Sequence, residues 1–301
     1  HSTEYDTYVT RTRRPLPMIE RLDPVVYGNA GSGPLSEDEL ARYERDGFLF
    51  YEGFFSAEEL AAWVEELRRL CYDPALARAE GVIREPESEE VRSIFAVHQR
   101  SEVFARLVRD PRLLERARQL LGSDVTIHQS RINYKPGFQG KGFNWHSDFE
   151  TWHAEDGMPH MRAVSCSVIL TDNHEFNGPL MLVPGSHRYF VPCVGATPAD
   201  NYKRSLQNQQ LGVPDPDALR TLIERAGGIQ APKGRAGSVL FFECNTLHGS
   251  NANMSPDPRS NVFFVYNSVH NALQAPFAAE HQRPAFLADR NPEVLKPLGA
   301  D

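Results

Sequence analysis

Two histidines and one aspartate carry the most specific chemistry in this 301-residue chain. His146 and Asp148 stand two apart in the run Phe143-Asn144-Trp145-His146-Ser147-Asp148-Phe149, and His248 follows Asp148 by a hundred residues. Two imidazoles and one carboxylate are the facial ligand set of non-haem Fe(II), which leaves adjacent coordination positions open for substrates. On an extended strand, residues i and i+2 point to one side, so His146 and Asp148 are expected to grip one ion while Ser147 points away. The same ligand types hold catalytic zinc, but a zincin carries His-Glu-x-x-His on a helix, and this chain has no such run. A competing pair, His153 and Glu155, lies in the polar stretch His153-Ala154-Glu155-Asp156-Gly157, which reads as a loop and ranks below the first. Arg259, eleven residues after His248, adds a bidentate fork suited to a carboxylate such as the distal end of 2-oxoglutarate.

A polar strand face extends this reading. Over Val125 to Tyr134, Gln129, Arg131 and Asn133, with Lys135 just beyond, alternate with His128, Ser130, Ile132 and Tyr134. A solvated sheet face has this pattern, and so does the mouth of a barrel that binds a small carboxylate-bearing molecule. Phe143, Trp152, Phe242 and Phe263 can wall such a pocket and hold a cationic ring over their faces, although core packing is the commoner role of a strand phenylalanine.

The elements that must position these groups follow from periodicity. Residues 1 to 34 are rich in Pro and Gly and show no period, as in an arm draped on a surface, and the basic run Thr10-Arg11-Thr12-Arg13-Arg14-Pro15 reads as a solvated tail. Capping boxes at Ser36/Glu39 and Ser56/Glu59 start two helices, the second with Leu60, Trp63, Val64, Leu67 and Leu70 at helical spacing. Trp63 is expected to be a core anchor. A third helix is expected from Ser101 to Leu121, stopped by Gly122, with Phe104, Leu107, Val108, Leu113, Leu114, Leu120 and Leu121 apolar. From Val125 the period becomes two. Strands are expected at Val125 to Tyr134, Arg162 to Leu170, Leu180 to Val183, Val239 to Phe242 and Asn261 to Tyr266, with Gly/Pro turns between. The fold expected is mainly β with flanking helices, a jelly-roll core at about 125–270 buttressed by a helical prelude at 35–122 and closed by a tail at 271–301. The insertion Gly195 to Pro232 is expected to carry a helix at Pro216 to Ala226 and is long enough for a lid.

Composition narrows the class. A hydrophobic content of 41% supports one large core, and a net charge of -8 without a basic cluster argues against nucleic acid or an anionic membrane as partner. Cys71, Cys166, Cys193 and Cys244 lie far apart, with no CxxC pair, so free thiols and a cytoplasmic home are expected.

With these residues in hand, the chain resembles the phytanoyl-CoA dioxygenase superfamily of iron and 2-oxoglutarate oxygenases, and within it the branch that hydroxylates the compatible solute ectoine. The signature is the seventeen-residue run Phe143–Pro159 (FNWHSDFETWHAEDGMP), supported by Asn177-Gly178-Pro179-Leu180-Met181 and Pro184-Gly185-Ser186-His187. His160 departs from it, since the pattern usually has Arg before Met161-Arg162. The resemblance implies a double-stranded β-helix, a homodimer, and conversion of ectoine to 5-hydroxyectoine with Fe(II), 2-oxoglutarate and O2, releasing succinate and CO2. By the same resemblance His146, Asp148 and His248 hold iron. Arg259, Asn133, Ser165 and Ser250 bind 2-oxoglutarate, and Gln129, Arg131, Phe143, Trp152 and Phe242 receive ectoine. The alternatives are a related oxygenase acting on another small amino-acid-like substrate and a non-catalytic cupin-like binder; Arg259 disfavours the binder, and Asp148 disfavours a halogenase.

Overall fold

Alternation along the strands gives the core two faces with different neighbours. The computed structural model describes residues 5–203 and 211–300. Its strands in chain order are β1 (Ile19–Glu20), β2 (Phe48–Tyr51), β3 (Val82–Arg84), β4 (Val91–Phe95), β5 (Val125–Lys135), β6 (Phe143–His146), β7 (Ala163–Ile169), β8 (Leu180–Leu182), β9 (Tyr189–Phe190), β10 (Val239–Glu243), β11 (His248–Ser250) and β12 (Arg259–Ser268). Seven of them form an antiparallel sheet in the order β2-β10-β7-β12-β5-β4-β3, and three form a smaller sheet, β6-β11-β8. Residues of both sheets line one cavity, as the expected double-stranded β-helix requires.

On the outer face of the large sheet, Val164, Cys166, Val168, Val239, Phe241, Val262, Phe264 and Tyr266 join the helices in one apolar core. Their strand neighbours Ser165, Phe242, Phe263 and Val265 line the cavity. Strand β5 obeys the same rule only because it changes phase. The register against β12 slips between Val265↔Gln129 and Tyr266↔Ile127, so His128 is the extra residue of a bulge. Val125 and Ile127 before it, and Ile132 after it, all reach the outer core, while Gln129, Arg131 and Asn133 face the cavity.

The helices that cover the outer face start as their caps dictate. Ser36 and Ser56 each accept from the backbone N–H of Glu39 and Glu59, opening α1 (Glu37–Asp46) and α2 (Ala57–Cys71). Trp63 packs edge-on against Phe55 in the core, as expected. The long helix expected from Ser101 to Leu121 is in fact two, Glu102–Leu107 and Pro111–Leu121. Pro111 supplies no N–H and disfavours helical backbone at Asp110, which caps the second segment through Arg112 N. All seven apolar positions of that stretch are nevertheless buried. The helix expected at Pro216 to Ala226 is present and ends at Gly227; part of the insertion around it, 204–210, lies outside the described residues. Among the described residues no helix is long and apolar enough to cross a membrane.

The N-terminal arm departs most from expectation. Tyr8, Thr10 and Arg11 are buried, and the arm pairs twice with the body: β1 with β9, and Thr12 with Val194. Arg11 belongs to a buried ion-pair cluster and not to a solvated tail. Arg21 is its counterpart further along. Its guanidinium lies 2.7 Å from the buried Glu243 carboxylate and donates to the main-chain oxygens of Asp23, Pro24, Met161 and His187. Removing one member of such a pair strands a charge away from water. Arg21→Met is therefore expected to lower unfolding free energy by about 3 to 5 kcal/mol, read from urea denaturation of the full chain.

Candidate metal centre and pocket

The small sheet brings the two histidines face to face. His146 ends β6 and His248 begins β11, and the two are direct partners in the antiparallel register, with ring centroids 4.2 Å apart. The strand expected to carry both His146 and Asp148 stops between them. Ser147 is still extended, but Asp148 is the first residue of a short helix, Asp148–Thr151, that runs into a π-helical turn at Trp152–Asp156. One extended residue suffices to keep both ligands on one side. Ser147 turns away and donates to Asn245 Oδ1 at 2.7 Å.

The three side chains fit one ion. Asp148 Oδ1 lies 3.2 Å from His146 Nε2 and Oδ2 lies 3.4 Å from His248 Nε2, and one ligand atom from each residue falls within 4.8 Å of the others. Both Nδ1 atoms sit against main-chain carbonyls, Asn144 O at 2.7 Å and Thr246 O at 2.9 Å. A carbonyl only accepts, so Nδ1 carries the hydrogen and the Nε2 lone pair is left for a metal. Burial pushes the His248 imidazolium down to about 4 against the pull of Asp148, so the ring is neutral at neutral pH, as a ligand must be. Burial favours a protonated Asp148, but His248, His146 and Arg131 outweigh it and hold the carboxyl well below the usual range.

Every residue assigned in the sequence to iron, 2-oxoglutarate or ectoine lines the same cavity. Asn133, Ser165, Ser250 and Arg259 are there, and so are Gln129, Arg131, Phe143, Trp152 and Phe242 beside the three metal-ligand candidates. Sequence reasoning missed Thr151, Tyr202, Leu287 and Arg283, which come from segments without strand or helix periodicity or from the short helix after Asp148. The aromatic walls differ in use. Phe263 carries the Arg131 guanidinium 5.1 Å from its centroid, and Phe143 carries Arg92 and Lys135 at 5.4 and 5.6 Å. Trp152 and Phe242 have no side-chain cation over their faces among the described residues.

Charge in the cavity is lopsided. Among the described residues that line it, Asp148 is the one carboxylate, against Arg131, Arg259 and Arg283. Arg283 is neutralised from behind by Asp156, through Nε to Oδ1 at 2.7 Å and Nη2 to Oδ2 at 2.6 Å. Arg259 is not. Its Nε is buried and makes no hydrogen bond among the described residues, and burial beside Arg131 pushes its guanidinium down to about 10, still charged at neutral pH. Lys135 stands at the end of the polar face, just outside the cavity, and donates to Ser250 Oγ at 3.1 Å and Asn251 O at 2.7 Å.

The competing pair does other work. His153 and Glu155 belong to the π-helical turn and not to a loop; His153 bonds Met158 O and Asp6 and stacks on Phe277, while Glu155 pairs with Arg11 and Asn201. His160 is 57% exposed at its side chain and pairs with Asp23, away from the cavity.

The model of the phytanoyl-CoA dioxygenase family matches residues 43–261. The chain belongs to that family. Within it, the chain is 58% identical to the ectoine dioxygenase of Halomonas elongata over 98% of its own length and 89% of that protein. It is also 58% identical to the ectoine dioxygenase of Bordetella bronchiseptica, over 99% of its length and 97% of that protein. The crystal structure of EctD from S. alaskensis with 2-oxoglutarate and 5-hydroxyectoine superposes with a TM-score of 0.88 at 47% identity, covering 97% of this chain and 98% of that one. The same protein with bound Fe superposes at 0.87.

The ligand geometry generates a direct test. Purified protein is expected to take up one equivalent of Fe(II), and His146→Ala, Asp148→Ala and His248→Ala each to lose it while keeping the far-ultraviolet dichroism of the parent. His153→Ala should retain the metal, since its ring is committed to Met158 and Asp6. Loss of iron from the His153 variant alone would place the centre elsewhere.

Proposed function

We propose that the chain is an Fe(II)- and 2-oxoglutarate-dependent dioxygenase that hydroxylates ectoine to 5-hydroxyectoine, with release of succinate and CO2. The observation that carries this reading is the His146/Asp148/His248 cluster opening onto an aromatic cavity whose guanidiniums outnumber its carboxylate. Relatives bearing the name ectoine dioxygenase over nearly the full chain supply the substrate, and the S. alaskensis structure supplies the pairing of 2-oxoglutarate with 5-hydroxyectoine. Iron held by the three side chains supplies oxygen activation coupled to oxidative decarboxylation of 2-oxoglutarate, with one oxygen atom passing to succinate and the other to ectoine.

The remaining work falls to the protein. Arg259, with its unpartnered Nε, anchors the distal carboxylate of 2-oxoglutarate through its planar fork. Ser250 accepts from the Lys135 ammonium, which leaves its own hydroxyl hydrogen to donate to the co-substrate. Asn133 has its carbonyl oxygen tied to Ser93 Oγ at 3.0 Å, so its amide nitrogen is the donor toward a ligand, and Ser165 adds a buried hydroxyl on the neighbouring inner face. Ectoine is a compact ring bearing a delocalised cation and one carboxylate. Trp152 and Phe242, which carry no Arg or Lys among the described residues, receive the cation, Arg131 and Gln129 take the polar edge, and Phe143 adds to the wall. A homodimeric state, implied by the family resemblance, and a cytoplasmic home, suggested by the free thiols, belong to the same proposal.

Two measurements test it. Arg259→Ala is expected to raise the 2-oxoglutarate requirement by well over tenfold, since losing a buried partner of a charged ligand costs about 2 to 5 kcal/mol, and Lys should rescue poorly because it lacks the fork. An unchanged requirement sinks that role. Product analysis with iron-loaded enzyme offered ectoine, proline and a phytanoyl thioester should yield 5-hydroxyectoine alone in quantity, and Trp152→Ala should impair ectoine-dependent succinate release more than iron loading. Preferential hydroxylation of proline or the thioester refutes the substrate and leaves the oxygenase chemistry standing.

A further inference from the structure

The N-terminal arm passes behind the segment that carries Thr151 and Trp152, and one residue makes the junction. Arg11 donates through Nε and Nη2 to the two oxygens of Glu150 at 2.7 and 3.0 Å, and through Nη1 to Glu155 Oε2 at 3.1 Å and Thr197 Oγ1 at 3.0 Å. Its partners are almost sealed from water: the Arg11 and Glu150 side chains are each 1% exposed. Glu150 and Glu155 flank Thr151 and Trp152, both lining the cavity, on the segment that Asp148 begins. Glu155 in turn accepts from Asn201 Nδ2 at 3.1 and 3.2 Å, and the next residue, Tyr202, lines the same cavity. A single guanidinium thus links the wall that carries Trp152 to the segment that carries Tyr202.

The backbone of Arg11 underlines the arrangement. It adopts φ +61°, the left-handed region that a residue with a Cβ enters only at a cost, and its N–H is held by Cys193 O at 2.8 Å. Thr10 supports the same geometry, accepting from Cys193 N and donating to Glu150 Oε1. A buried ion pair is by itself weak evidence of stabilisation, and two carboxylates around one guanidinium need a reason beyond packing. The reason on offer is geometric, because all five donors of a fork can serve three segments at once, and a lysine cannot.

We propose that Arg11 is a positioning residue for substrate: it holds the Thr151/Trp152 wall and Tyr202 in one arrangement, so that ectoine is presented correctly while iron and 2-oxoglutarate binding do not depend on it. This rests on the function proposed above. Arg11→Lys and Thr197→Val, in the full iron-loaded chain, test it with Arg11→Ala as the extreme. Arg11→Lys is expected to raise KM for ectoine about tenfold, to leave KM for 2-oxoglutarate within about twofold, and to release more succinate per 5-hydroxyectoine than the parent. Thr197→Val should move the same quantities in the same direction by about threefold, with the ion pairs intact. Hydrogen exchange, read without substrate, should quicken at 149–156 and 197–203 in Arg11→Lys and not in β5. If Arg11→Ala fails to fold, the Lys and Thr197 variants decide. An unchanged ectoine KM and coupling ratio, or a fall in kcat and melting temperature with both KM values and the coupling ratio unmoved, overturns the inference. A parent enzyme that leaves ectoine unmodified overturns the function instead, and the exchange pattern still tells whether Arg11 orders this wall.

Discussion

Positive charge inside a barrel is the constraint from which the rest of the site follows. Among the described residues, three guanidiniums and two imidazoles share the cavity with one carboxylate, that of Asp148. A buried cation needs a partner, and the protein answers differently for each. Arg283 receives Asp156 from outside the cavity, itself also bound to His128 Nε2 at 3.1 Å. Arg131 lies over the rings of Phe263 and Phe95, which lowers the cost of its burial without cancelling its charge. Arg259 keeps its Nε unpaired among the described residues. A cavity balanced in this way selects anions, and a dicarboxylate together with a zwitterion is the kind of pair it suits.

The barrel achieves this by separating two chemistries across one sheet. Facing the helices, strands β7, β10 and β12 show apolar or weakly polar groups apart from Glu243, which Arg21 pairs, and the packing of Val164, Cys166, Val168, Phe241 and Phe264 there holds the sheet against its helices. Facing inward, the same strands offer Ser165, Phe242, Phe263 and the Arg259 end of β12. The bulge at His128 lets β5 contribute to both without interruption: an unbroken alternation that placed Gln129, Arg131 and Asn133 inside would have turned Val125 and Ile127 inward with them. His128, displaced by the bulge, becomes the bridge to Asp156.

How much of this could be read from the sequence depends on the range over which each feature is encoded. Capping boxes at Ser36 and Ser56, the Gly-terminated helix at Pro216–Ala226 and the long strands β5, β7, β10 and β12 are written in residues a few positions apart, and they appear within a residue or two of expectation. Gln129, Arg131 and Asn133 and the His146/Asp148 pair were legible for the same reason, since alternation on β5 and the His-x-Asp spacing are local, whereas Ser165 and Ser250 were named through the family resemblance alone. Pro111 should have divided the Ser101–Leu121 helix and was outweighed by continuous apolar spacing. The short strands β2, β3 and β4 were not anticipated, because three to five residues among predicted helices give too few alternations to distinguish a strand from a loop. Arg283, Tyr202 and the helical character of 148–156 were invisible, as each depends on partners far away in the chain: Asp156 for Arg283, and Arg11 for the acidic residues of the turn.

The arm carries this lesson furthest. Read locally, Thr10 to Pro15 is a basic, proline-terminated stretch with no period, and solvation is the natural expectation. What overrides it lies about 140 residues on, where Glu150 and Glu155 sit on a turn too buried to meet water. Two glutamates cannot remain there unless a cation reaches them, and the chain brings that cation from its own N-terminal segment, while Arg21 does the same for Glu243 at the end of β10. The acidic residues of the segment that Asp148 begins and the basic residues of the arm are thus a single electrostatic unit divided between distant segments of sequence. Because that unit abuts Asp148 and Trp152, the order of the arm and the order of the pocket wall are coupled through charge as well as through packing.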